Sequence, residues 1–121
     1  MEGSELRRLP RIPYDGIGEL VVDSKVIPVV VSSVACEGVG VSFNEEHRMR
    51  IRPLADTTLR FLGKHDAGVT AFELPARVVW SAGNHAGLRL RLRDADASDR
   101  KSYGAWIAPR TKAALANRAE L

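Results

Sequence analysis

The chain has 121 residues, a length that holds one domain around one hydrophobic core. Hydrophobic residues make up 45% and charged residues 27%, values of a globular rather than a disordered chain. Eighteen Lys and Arg against fifteen Asp and Glu leave a formal charge of +3, which permits an anionic ligand and is too small to demand a nucleic-acid polymer.

Residues 1–12 form a polar, Arg-rich lead segment. It has no apolar h-region, so it does not read as a secretory signal, and a cytoplasmic protein is expected. Pro10 and Pro13 lack backbone donors and restrict the residues before them, which makes the segment extended or turning. From residue 14 to residue 92 the signals are mostly those of strands. Ile17, Glu19 and Val21 alternate with Gly18, Leu20 and Val22, a first strand whose facing is open. Asp23-Ser24 reads as a turn. Residues 26–34 are rich in Val and Ile, with Pro28 at an edge or bulge. That apolar run is far below the ~18 residues of a membrane helix, so no membrane insertion is expected. Cys36 is the only cysteine, which excludes an internal disulfide framework and a Cys-rich zinc site.

Residues 38–43 alternate Val39, Val41 and Phe43 with small or polar residues, a half-buried strand. Residues 44–56 are charged and contain Pro53, a long loop. Residues 57–62 form a strand, followed by a turn at Gly63-Lys64-His65-Asp66. Residues 69–80 are long and β-rich, with Pro75 at a bulge or break, and Ser81-Ala82-Gly83-Asn84-His85 is a hairpin loop. Residues 86–93 set Leu88, Leu90 and Leu92 on one face and Arg89, Arg91 and Arg93 on the other. Phe43, Phe61, Phe72 and Trp80 read as core. Beyond this the texture turns helical. Ser98 is the N-cap candidate and Asp99 suits the helix's positive end. Tyr103, Trp106 and Ile107 make an apolar stripe, Pro109 should end or kink the helix, and residues 111–119 form a second helical piece. The pattern predicts an all-β fold, a small antiparallel barrel or sandwich, with a C-terminal helix.

No catalytic set emerges. His47, His65 and His85 fall in three different predicted loops, and no HExxH, GxSxG or phosphate-binding glycine loop is present. Cys36 reads as a small semi-buried thiol, and Glu45, Glu46, Asp94 and Asp96 as solvated charges. No enzyme, metal or cofactor is expected. The Arg7, Arg8 and Arg11 cluster carries more chemistry. A guanidinium holds phosphate or a guanine edge bidentately and stacks on bases, so arginines on a Pro-stiffened segment can converge on an anionic, guanine-bearing ligand. Small residues in Ser33-Val34-Ala35-Cys36-Glu37-Gly38 mark either a plain turn or a close backbone approach, with Gly38 able to supply positive φ. Arg89, Arg91 and Arg93, and Arg48, Arg50 and Arg52 if that stretch is extended, are either solvated faces or helpers around phosphate.

These features, in this order, resemble the PilZ family of bacterial cyclic di-GMP receptors. Arg7-Arg8-Leu9-Pro10-Arg11 fits the family's RxxxR motif, and the stretch from Ser33 to Gly38 stands where the family has (D/N)xSxxG. Glu73-Leu74-Pro75-Ala76-Arg77-Val78-Val79-Trp80, then Gly87-Leu88-Arg89-Leu90, and the helical pair Trp106-Ile107 extend the likeness over roughly residues 5–108. The resemblance implies a six-stranded antiparallel PilZ-like β-barrel. It divides the chain into a flexible N-terminal switch segment (1–12), a barrel (13–97) and a helical segment (98–121). The ligand would be cyclic di-GMP, held by Arg7, Arg8, Arg11, Ser33 and Gly38. An unidentified effector protein in motility, exopolysaccharide, biofilm or virulence control would be the partner. Ser33 replaces the family's acidic or amide residue and Ala35 its serine. Each lost hydrogen bond is worth about 0.5–1.5 kcal/mol, more with a charge, so the pair weakens binding by roughly one to three powers of ten. A PilZ-like protein-interaction module without the ligand is the alternative. A barrel binding single-stranded nucleic acid is disfavoured, because the strand aromatics that would stack on bases read as core.

Overall fold

A computed structural model describes residues 10–119. Six antiparallel strands, β1 (Ile12–Val22), β2 (Lys25–Val34), β3 (Gly38–Phe43), β4 (Asp56–His65), β5 (Gly68–Ala82) and β6 (His85–Leu90), precede one helix, α1 (Ala97–Ala119). They close into a barrel in the order β1-β2-β3-β6-β5-β4. The expected six-stranded antiparallel barrel with a C-terminal helix is therefore the fold.

Strand alternation builds the core. Leu59 and Phe61 of β4, Phe72, Leu74 and Val78 of β5, and Leu88 and Leu90 of β6 all point inward and are buried. On β2 the inward residues are Ile27, Val29, Val31 and Val34, and the last step breaks the period of two. A bulge between Val31 and Ser33 absorbs the extra residue and restores the phase. A second bulge, between Val78 and Trp80, turns Trp80 outward, where it is 41% exposed and not the core residue its β-rich context implies.

Several predicted boundaries move. β1 starts at Ile12 rather than near residue 17, and β4 runs on to His65, so the turn falls at residues 66–67. His65 and His85 are therefore strand-end residues. Pro75 neither bulges nor breaks β5. It pairs with Thr58 of β4, just where the ladder to β6 has ended, and its carbonyl accepts from Arg91 N at 2.8 Å. Its missing N–H thus faces no strand. Asp23 and Ser24 form the predicted turn, both with positive φ, the twist that tight hairpins prefer. Residues 44–56 are more ordered than a plain loop, because Asn44 caps a short 3-10 turn (Glu45–His47) and Ile51 is wholly buried. That stretch is not extended, so Arg48, Arg50 and Arg52 form no alternating row. β6 stops at Leu90, and Leu92 to Asp94 make a second 3-10 turn.

The helix is one piece. It begins at Ala97, which places Ser98 inside the first turn rather than at the N-cap. Pro109 does not end it: Pro109 and Ala105, the residue whose carbonyl it leaves unpaired, both lie on the solvent side. Tyr103, Trp106 and Ile107 face the barrel end and are buried. Trp106 packs edge-on against Tyr14 at 5.4 Å, donates from Nε1 to Lys64 O at 2.9 Å, and carries the Arg110 guanidinium 4.2 Å above its ring. Gly63 is what lets the helix seat. A Cβ there would collide with the Phe72 ring and come within 2.9 Å of Trp106. Gly63→Ala is expected to destabilise the fold by about 1–3 kcal/mol through overpacking, read as a lower urea midpoint at unchanged slope.

Candidate functional site

The register of β1, β2, β3, β6 and β5 lays Pro13, Ser33, Gly40, Gly87 and Trp80 side by side on the outer wall. The two glycines in the middle, Gly40 and Gly87, are buried because the flanking side chains lean over them. A Cβ at Gly40 would lie 2.5 Å from Ser33 Oγ, and one at Gly87 would lie 2.7 Å from Trp80 Cε2. The Trp80 indole is thus backed by the Gly87 strand and open on its other side, a platform on which a planar base can stack. Trp80 was missed as a site residue because an aromatic in a β-rich run reads as core. The usable signal was Gly87, a strand glycine directly across from it.

Next to this row stands the turn from Ala35 to Glu37. It is held from three sides. Ala35 N–H donates to Gly38 O at 2.8 Å, and Leu90 N–H donates to Glu37 O at 2.8 Å. From the helix, Tyr103 Oη donates to Ala35 O at 2.5 Å, while Cys36 Sγ lies 3.5 Å from Thr111 Oγ1. Burial, and secondarily the neighbouring Cys36, pushes the Tyr103 hydroxyl well above its ordinary pKa, so it remains a neutral donor. The main-chain groups of the Ser33–Gly38 stretch are therefore preorganised, even though the serine and acidic side chains of the motif are absent.

The predicted site residues divide. Arg7 and Arg8 lie outside the described residues. Arg11 is exposed and directly precedes β1, whose Ile12 and Pro13 pair with Val34 and Ser33, so it enters beside the turn. Ser33 is half-buried, with its hydroxyl over Gly40. Gly38 supplies no positive φ: it is the first residue of β3, and a Cβ there would press to 3.3 Å from Leu88 O, so close approach to β6 is the reason for glycine. Across from Gly38, Arg89 points outward, and among the described residues it has a long 3.8 Å pairing to Glu37. Arg91 is more committed. Asp56 binds Arg77 at 2.9 Å and Arg91 at 3.2 Å, and these guanidiniums, Arg77 foremost, hold its carboxyl below the usual range. The histidines do not converge, and no group of three metal-binding side chains occurs among the described residues. Among those residues, no helix is long and apolar enough to cross a membrane.

No protein-family model matches the sequence, and no curated protein matches it. Solved structures do match the fold. The Bacillus subtilis inhibitor of motility MotI/DgrA superposes with a TM-score of 0.69 at 14% identity, over 93% of this chain and 53% of that one. The PilZ domain of Escherichia coli YcgR, solved with c-di-GMP, gives 0.63 at 10% identity, over 94% of this chain and 97% of that domain. Borreliella burgdorferi PlzA in complex with c-di-GMP gives 0.59 at 13% identity, over 98% of this chain and 54% of that one. This chain spans about half the length of MotI and PlzA and nearly all of the YcgR domain. At such identities the likeness is one of fold, a PilZ-like barrel.

The helix-to-turn anchor can be tested by itself. Tyr103→Phe leaves the Ala35 carbonyl unpaired beside the core. It is expected to cost about 1–3 kcal/mol in urea unfolding and to speed amide exchange in residues 36–38 over that in β4.

Proposed function

We propose that this chain is a cyclic di-GMP receptor without enzymatic activity, which passes the bound state of the nucleotide to a partner protein. The observation that carries the reading is the pairing of Pro13 with Ser33, which sets Arg11 beside the turn ending at Gly38. Two solved barrels of the same fold, the YcgR domain and PlzA, hold c-di-GMP, which supports the ligand class.

In this reading Arg7 and Arg11, helped by Arg8, grip phosphates and guanine edges. Ser33 and the backbone around Gly38 line the barrel side, and Trp80 offers its open face to a base. The anchored turn gives the ligand a rigid wall, so ordering falls mainly on the N-terminal segment. The ligand shifts that segment only as far as its affinity for the two arrangements differs. A change there alters the surface a partner meets, and motility, exopolysaccharide or virulence control is the proposed setting.

A second reading rests on the substitutions at Ser33 and Ala35. Ser33 turns its hydroxyl toward Gly40, and the Ala35 carbonyl is already taken by Tyr103. A ligand-free PilZ-like interaction module accommodates both facts. Calorimetric titration separates the two. For a receptor, cyclic di-GMP binds at micromolar or tighter affinity, and Arg11→Ala weakens it by about ten- to a hundredfold, the worth of a charge-assisted contact. Trp80→Ala weakens it by a similar factor through lost stacking. Unchanged affinity in both Arg7→Ala and Arg11→Ala would remove the clamp. No heat with the native chain, together with strong binding by the Ser33→Asp plus Ala35→Ser variant, would establish the second reading.

A further inference from the structure

The wall opposite the candidate nucleotide face has a different chemistry. In the closed order, β1 and β4 lie three strands away from β6 and β3. On their outer side the register aligns Val30 with Ile17 and Leu62 with Ala71, and the pairing of Gly18 with Phe61 sets Ile17 beside Leu62. Ile17 is 79% exposed, and Val30 and Leu62 are each 44% exposed. This apolar row crosses four strands, a span of about 14 Å at the usual strand spacing. A groove of about 520 Å³ opens along the Ile17, Leu62 and Ala71 part of it, lined also by the buried Phe61 and Phe72.

The rim of the groove is acidic. Arg60 is shared by Glu19 at 3.1 Å and Glu73 at 3.2 Å, so two carboxylates hold one guanidinium. Asp99, from the first turn of the helix, adds a further carboxylate to the lining. The local balance is one positive charge against three negative ones, on a chain whose overall charge is +3. An exposed apolar row bordered on one side by a carboxylate-rich rim, on a chain of the opposite sign, is not a generic solvated surface.

We propose that this wall docks a cationic, apolar segment of a partner protein: aliphatic anchors on Ile17 and Leu62, with flanking Lys or Arg reaching Glu19, Glu73 and Asp99. The row residues sit in paired strands, Ile17 with Val30 and Leu62 with Ala71, and they offer side chains to a partner that docks on the face of the sheet. The 14 Å row matches about nine residues of an amphipathic helix. The proposal stands whether or not the opposite face binds a nucleotide.

The test uses the whole chain and a synthetic 14-residue helix with a leucine face and lysine flanks, beside a counterpart carrying glutamate for lysine. In ¹H–¹⁵N spectra the lysine peptide is expected to shift Ile17, Glu19, Leu62, Ala71 and Glu73 and to leave β3 and β6 still. Affinity should fall as salt is raised, and the glutamate peptide should bind at least tenfold more weakly. Ile17→Lys should weaken the lysine peptide at least tenfold with an unchanged unfolding midpoint, and Glu73→Lys should do so with a small loss of stability, because it sets a lysine opposite Arg60. Shifts scattered over other acidic surface, equal binding of both peptides, or unaltered affinity in both variants would overturn the proposal. So would a concentration-dependent dimer of the chain alone that Ile17→Lys dissolves, since the wall would then serve a second copy.

Discussion

The barrel exists because two three-stranded meanders meet along two seams. Residues 12–43 give β1, β2 and β3, and residues 56–90 give β4, β5 and β6, each joined by local turns. The seams, β1 with β4 and β3 with β6, are the non-local pairings that close the sheet. Closure gives every strand a partner on both sides over part of its length and encloses one core of aliphatic residues and Phe side chains. The two seams lie on opposite walls, and each carries one of the two surfaces argued above. The β3–β6 seam carries Gly40 and Gly87 flanked by Ser33 and Trp80, while the β1–β4 seam carries Ile17 and Leu62 beside a carboxylate-rich row.

The helix ties the barrel end to the candidate nucleotide face. Its aromatic stripe closes the barrel over Phe61, Phe72 and Tyr14. The same helix reaches the turn after β2 with Tyr103 and Thr111. One element thus caps the core and braces the wall of the site. Movement of the turn and repacking of the helix are linked through these contacts, a physical route by which an occupied site can be felt at the helix.

Much of the architecture was legible because period two is a strong signal. Leu88 and Leu90 against Arg89 announced β6, Val39, Val41 and Phe43 announced β3, and Tyr103, Trp106 and Ile107 announced the buried side of the helix. Misreadings came where a local rule met a tertiary exception. Pro75 looked like a break until the end of the β6 ladder made its missing donor harmless. Pro109 looked like a stop until the helix turned it to solvent. Trp80 looked like core until a bulge one residue earlier reversed its facing. Bulges have no reliable sequence mark, because they depend on the partner strand and not on the bulged residues alone.

By itself the sequence determined the class of fold, an antiparallel barrel or sandwich with a C-terminal helix, because hydrophobic periodicity is a local property written residue by residue; the closed six-stranded barrel was what the family resemblance implied. The sequence also nominated Arg11, Ser33 and Gly38 through their order along the chain. Only the tertiary structure decided which outer residues share a wall, since that depends on strand register and on where bulges shift the phase. The row from Pro13 to Trp80, the role of Gly38 as a point of close contact, and the apolar groove over Ile17 and Leu62 all arise from pairings between residues distant in sequence.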